Sequence, residues 1–262
     1  MDLKKLIINK KKEFKYNKME IICKNCHQIY SGHYCNNCGQ PADTHRINAH
    51  FLWHDIQHGL LHFDEGIPYS IKQLFTRPGH SIREFIEGKR VRHFKPLSLV
   101  AVLGAFYGFL CHYYQIDLFT NTGDSEIDLH DFSEWMATHF AWTTIATIPI
   151  YTIGTYIVFR KQGYNFFEFF VLNTFKASQR LFVQILTFPV LLYLTSIHHA
   201  GRFSTIIYVI GILLTFWTNI QFFNKISKTK AFFLTILSHI IFLACFMLLV
   251  AIVLVLTGKM PD

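Results

Sequence analysis

Five stretches of this chain run for about twenty residues or more without Asp, Glu, Lys or Arg: about Leu97 to Ile116, His139 to Phe159, Leu181 to His199, Phe203 to Phe223 and Ala231 to Thr257. A backbone inside a bilayer must satisfy its own N–H and C=O groups, and a helix does so across the hydrocarbon in roughly 20 apolar residues. The stretches therefore predict an all-α integral membrane protein with about five transmembrane helices, occupying residues 97–262. Composition agrees, since 51% of the 262 residues are hydrophobic and 27 are Phe, too apolar for a chain that keeps its whole surface wet. So little polar sequence separates the third and fourth stretches, around His198 to Arg202, that they are expected to form a tight helical hairpin.

The charges between the stretches set an orientation. Before Leu97 the chain carries 16 Lys and Arg, whereas the connection over 115–138 carries none and holds Asp117, Asp124, Glu126, Asp128, Asp131 and Glu134. Arg160, Lys161, Lys176 and Arg180 count toward the next connection, Arg202 alone marks the hairpin tip, and Lys225, Lys228 and Lys230 follow. Basic and non-basic connections alternate, so the positive-inside rule places the N-terminus in the cytoplasm and the C-terminus outside. The segment Gly163 to Ser178 is too apolar for a free loop, yet Glu168, Asn173 and Lys176 interrupt it. An interfacial or short re-entrant helix is the expectation there, with a sixth span as the alternative.

Ahead of the spans stands a motif of another kind, Cys23-Lys-Asn-Cys26 followed by Cys35-Asn-Asn-Cys38-Gly39. Two CxxC pairs this close have the spacing of a four-thiolate zinc site, each pair forming a knuckle that offers two soft ligands to one ion. Residues 21–42 hold too little apolar material to fold alone, so metal binding is the expected source of their stability. With all four positions taken by protein sulfur, the zinc is structural rather than catalytic. Two disulfides and an iron site are the competing readings, and a cytoplasmic location weighs against the disulfides.

Residues 1–20 contain seven lysines between Lys4 and Lys18 and no signal-peptide core, and read as a basic, flexible arm. The expected partner of that charge is the anionic headgroup layer; no aromatic–basic pattern accompanies it, so nucleic acid is not expected. Residues 43–96 form a juxtamembrane helical region. Leu52, Trp53, Ile56, Leu60 and Phe63 share one helical arc, and His50, His54, His58 and His62 stripe the other at i, i+4 spacing. A solvated polar face is the plain reading of the stripe; a second metal or pH-sensing site using His54, His58, His62 and Asp55 is the alternative. Ser70-Ile-Lys-Gln73 and Ser81-Ile-Arg-Glu84 have the capping-box pattern, with Arg77-Pro78-Gly79 as a break and Gly88 as a stop. Arg77, Arg83, Lys89, Arg90 and Arg92 are candidates for gripping phosphates or headgroups.

The spans carry few chemical signals. His239 with Ser238, Gln184, and Asn219 with Gln221 are expected to hydrogen-bond between helices, and Pro149 and Pro189 to bend theirs. No Walker motif, nucleophile elbow or dinucleotide fingerprint is present.

The run of Cys-x2-Cys, Tyr34 to Gln40, Arg46-Ile47, Tyr69 to Arg90 and Phe94-Lys95-Pro96 resembles a bacterial membrane-protein family catalogued as domain of unknown function 3667 and common in Bacteroidetes. The resemblance covers residues 20–100 most specifically and implies a bacterial inner-membrane protein with an N-terminal zinc ribbon, without implying an activity. His27 departs from the pattern, standing where glycine commonly follows the first knuckle. Five spans behind a cytosolic domain are also similar in architecture to Yip-type membrane proteins.

These features together predict a membrane-anchored interaction or scaffold module with a cytosolic or membrane protein partner; self-association into a homo-oligomer and an enzymatic activity both stay open, with the balance against an enzyme. A transporter or channel, and a membrane-embedded enzyme acting on a lipid or isoprenoid-like substrate through His54 and His58, stand as alternatives.

Overall fold

The structure, a computed structural model, describes residues 20–53, 66–116, 135, 137–196 and 200–257. It opens with two short antiparallel strands, β1 (Ile21–Ile22) and β2 (Ile29–Tyr30), paired Ile21 to Tyr30 and Ile22 to Ile29. Residues 49–53 are helical, with Asn48 Oδ1 accepting from the Phe51 N–H. The larger helices are α1 (Gly66–Thr76), α2 (Pro78–Glu87), α3 (Pro96–Tyr113), α4 (Phe140–Phe159), α5 (Phe166–Ser196), α6 (Ala200–Phe222) and α7 (Lys228–Thr257). Among the described residues, α3 to α7 are the five helices long and apolar enough to cross a membrane, and the chain is a multi-pass membrane protein. Pro149 and Pro189 lie inside α4 and α5.

The third span differs from expectation. It begins at Phe166, so the segment expected to lie in the interface or to add a sixth span is instead the first half of one 31-residue helix, about 46 Å long. Two features of the sequence account for this. No Gly or Pro occurs between Tyr164 and Phe188 to end the helix. Asn165 and Glu168 close a capping box at its start, Asn165 Oδ1 accepting from the Glu168 N–H at 2.9 Å and Glu168 Oε2 accepting from the Asn165 N–H at 2.8 Å. The polar residues that looked like a water-facing side are turned inward, with Glu168, Asn173 and Lys176 all buried. Lys176 and Arg180 therefore belong to a spanning helix and not to a loop.

The bundle carries apolar side chains outward and hydrogen-bonding ones inward. Trp142, Leu186, Leu213, Phe233 and Leu248 are exposed on its surface, while Thr152, Asn173, Gln179, Thr218, Asn219 and Thr235 are buried. Without a hydrophobic force between helices in lipid, polar contacts and close packing hold them together. Ser238 bonds Thr155 between α7 and α4, and the Asn219 amide donates to Thr235 between α6 and α7. The Gln179 amide donates to the Leu74 carbonyl at 2.6 Å, and its oxygen accepts from Thr218. Phe159 and Phe223 stack at 3.8 Å near that end of the bundle.

Helices α1 and α2 form a hairpin that packs into the bundle against α5 and α6. Its break comes where Pro78 starts a new helix and Gly88, at φ 122°, ends it. The two serines expected as caps sit inside their helices instead. Ser70 accepts from the Phe94 N–H at 2.8 Å and Ser81 bonds His93 at 3.2 Å, so both fasten the chain that returns toward α3. At the tip, the Gly79 N–H donates to Gln221, and a Cβ there would lie 2.3 Å from the Phe222 nitrogen and 2.4 Å from the Thr218 oxygen. No side chain fits between these backbones. Gly79→Ala is expected to push the hairpin off α6 and cost roughly 1–3 kcal/mol, read as a lower unfolding temperature of the detergent-solubilised protein.

Candidate metal centre

The four sulfurs of Cys23, Cys26, Cys35 and Cys38 come within 4.8 Å of one another. Two near-equivalent turns bring them there. In the first, the Cys23 N–H donates to Gln28 and the His27 N–H to Cys23; in the second, the Cys35 N–H donates to Gln40 and the Gly39 N–H to Cys35, all at 2.8 to 2.9 Å. His27 adopts φ 62° and Gly39 φ 72°, so the histidine takes the same left-handed conformation as the glycine of the other knuckle. The closest sulfurs, Cys23 to Cys38 and Cys26 to Cys35, are 3.5 Å apart, far from the roughly 2 Å of a disulfide. A tetrahedral ion with bonds of about 2.3 Å would set its ligands about 3.8 Å apart, so the donor set fits such an ion. The backbone N–H of Gln28, the side chain of Asn37 and the neighbouring sulfurs draw the Cys26 thiol down to about 6, while burial pushes Cys23 up to about 11.

A cleft of about 580 Å³ separates this centre from the α1–α2 hairpin, with Cys26 and Cys38 on one wall and Tyr69, Arg77, Lys89 and Arg92 on the other. A divalent ion on four thiolates would carry a net charge of about −2, opposite these three cations across the cleft. Glu84 receives Arg77 at 2.9 Å and Lys89 at 3.4 Å. Burial pushes its carboxyl up, and the two cations more than offset that and hold it below the usual range.

The remaining phosphate-binding candidates are used within the protein. Arg83 donates to the Gln221 and Phe222 carbonyls at 3.0 and 2.9 Å, capping the C-terminus of α6. Arg90 donates to the carbonyls of Phe85 and His45 and lies over the Phe51 ring at 4.6 Å; burial lowers it to about 10. His54, His58, His62 and Asp55 lie outside the described residues. His93, not singled out in the sequence, is wedged edge-on against Tyr69, Phe85 and Phe175, and burial depresses it to about 4.

Sequence reasoning also passed over a cluster inside the bundle, Lys176 and Arg180 with Tyr151, Tyr208 and His239. Counting every Lys and Arg outside a charge-free window as a loop charge hid it. The signal available was a helix-compatible run from Phe166 onward with two cations at i, i+4.

Residues 64–108 match the family described as a protein of unknown function, DUF3667, covering the α1–α2 hairpin and most of α3. No curated protein and no solved structure matches the chain.

Two outcomes follow from this geometry. A β-branched residue tolerates the left-handed region poorly, so His27→Val should weaken metal retention by about 1–2 kcal/mol while His27→Gly preserves it, measured by competition with a chromogenic chelator. Because His93 is depressed in the fold, protons favour the unfolded chain between its ordinary value near 6.5 and about 4. Stability should therefore fall as pH drops through that window, and His93→Gln should flatten the fall in a thermal-unfolding series.

Proposed function

We propose that this protein is a membrane-anchored interaction module whose four-cysteine centre holds a structural zinc ion and presents a docking surface to a cytosolic protein partner. The alternation of basic connections supports a cytoplasmic N-terminus, and the family resemblance supports a bacterial inner membrane. Zinc is favoured by the four thiolates at tetrahedral spacing, which leave no coordination position for a substrate.

One observation carries the docking reading. On the β1–β2 ribbon Tyr30 turns inward over the sulfurs, whereas Ile22 and Ile29 are direct cross-strand partners and remain 66% and 59% exposed. Tyr34, on the same four-cysteine unit and bridged to Pro41, is 64% exposed. An apolar ladder on a metal-stapled ribbon does nothing for the ribbon's own core, and a partner's apolar side chains would cover it. The enzyme reading has no comparable support, since it rests on His54 and His58.

A photoreactive residue at position 34 of the full-length protein, irradiated in native membranes, should yield a discrete protein adduct. Replacing Ile22 and Ile29 together by Ser should abolish the adduct while leaving zinc content at the wild-type ratio. An adduct undiminished in that variant would overturn the docking reading, as would no adduct in the wild type.

A further inference from the structure

Lys176 and Arg180 stand one turn apart near the middle of α5, where the charge-free half of that helix begins. Lys176 is 2% exposed, and its ammonium donates to Asn173 at 2.9 Å. The Arg180 guanidinium lies over the Tyr151 ring of α4 at 4.9 Å. Its stem runs along α6 at Gly211, where a Cβ would stand 3.1 Å from the arginine Cδ. On the same side the Tyr208 hydroxyl of α6 meets His239 of α7 at 3.4 Å. Side chains or backbone of α4, α5 and α6 thus contact the two cations, and the Tyr208–His239 pair joins α6 to α7.

Nothing among the described residues neutralises them. Glu168 is the only Asp or Glu in the five spanning helices, and it lies two turns from Lys176 and is taken by Arg46. Charges at such depth are costly unless paired, and neither cation forms an ion pair among the described residues. The cluster is also open, for Arg180 and His239 are only partly buried and Tyr208 is 53% exposed on the bundle surface. On the other side, Gln179 ties the same turn of α5 to Leu74, so the hairpin layer ends beside the pair.

We propose that Lys176, Arg180, Tyr208 and His239 form a binding site for a phosphate group, taken at the bundle surface where the hairpin layer meets the apolar half of the protein. A guanidinium fork fits two phosphate oxygens, a buried ammonium supplies a second positive charge, and hydroxyl and imidazole groups complete the set of donors. The phosphate arrives either on an anionic phospholipid that approaches through the bilayer or as a free anion.

The test uses the full-length, zinc-loaded protein in a neutral detergent, with thermal unfolding followed during titration. Dioleoyl-phosphatidylglycerol should raise the unfolding temperature saturably where phosphatidylcholine does not, and Arg180→Gln should weaken that effect by about tenfold or more. Without lipid, Lys176→Met should be more stable than wild type because a lone buried charge has been removed; saturating phosphatidylglycerol should reverse the order. If inorganic phosphate alone reproduces the shift and depends on Arg180, the site stands with a soluble anion as its ligand. Should Arg180→Gln fail to fold, Tyr208→Phe, on the exposed rim, carries the same comparison and should also weaken binding. Equal responses of wild type and variants to both phosphatidylglycerol and phosphate, or no response in any, would overturn the proposal. The ribbon's docking surface is not involved, so neither test can stand in for the other.

Discussion

The buried carboxylate of Glu168 joins the chain leaving the four-cysteine ribbon to the third span, across 122 residues of sequence. It closes the capping box of its own helix and receives both nitrogens of the Arg46 fork, at 2.7 and 2.8 Å. Arg46 also donates to the Gly163 carbonyl, and the Asn165 amide donates to Ile47. The chain leaving the four-cysteine ribbon is thereby fixed along the first turn of α5, and Arg90, just past α2, donates to the His45 carbonyl of the same segment. Most of the energy lies on the carboxylate side of the pair. The Glu168 side chain is 4% exposed and the Arg46 side chain 61%, so the contact matters chiefly because a buried anion without its partner costs roughly 3–5 kcal/mol.

With that segment fixed, the hairpin fills the corner left where α3 starts and α6 stops. Its contacts are backbone-close at Gly79 and aromatic at Phe85, which meets Phe175 of α5 at 5.2 Å. The neutral imidazole of His93 packs among the rings it touches as one more flat, mostly apolar body. Interior polar groups such as Thr155 with Ser238 and Asn219 with Thr235 then join the helices in pairs, which is how a bundle holds together where the surroundings are as apolar as its own side chains.

Much of this was legible in the residues. The charge-free windows located five spans, and the paired CxxC turns located the four-cysteine cluster, because both signals come from local spacing. What escaped required knowledge of neighbours. Ser70 and Ser81 have the sequence of helix caps, but their hydroxyls were claimed by Phe94 and His93, partners that no local pattern reveals. Arg83 and Arg90 read as surface cations because their acceptors are carbonyls at a helix end and in the chain leaving the ribbon. Lys176 and Arg180 were assigned to water by a rule that treats charge as proof of a loop. Long helices whose charged faces turn inward defeat that rule.

The capping of α6 by Arg83 has a further consequence for biosynthesis. The carbonyls of Gln221 and Phe222 find their donors on a residue made about 140 residues earlier in the chain, and Gly79 meets Gln221 across a separation of 142. When the ribosome has just completed α2, no surface yet exists for the hairpin to pack against. It must wait at the membrane face through the synthesis of four further spans before its place is built. The ribbon's contacts lie within its own segment and can form early, whereas the hairpin's form only late, so newly made chains pass through a stage in which the amino-terminal part precedes its docking surface.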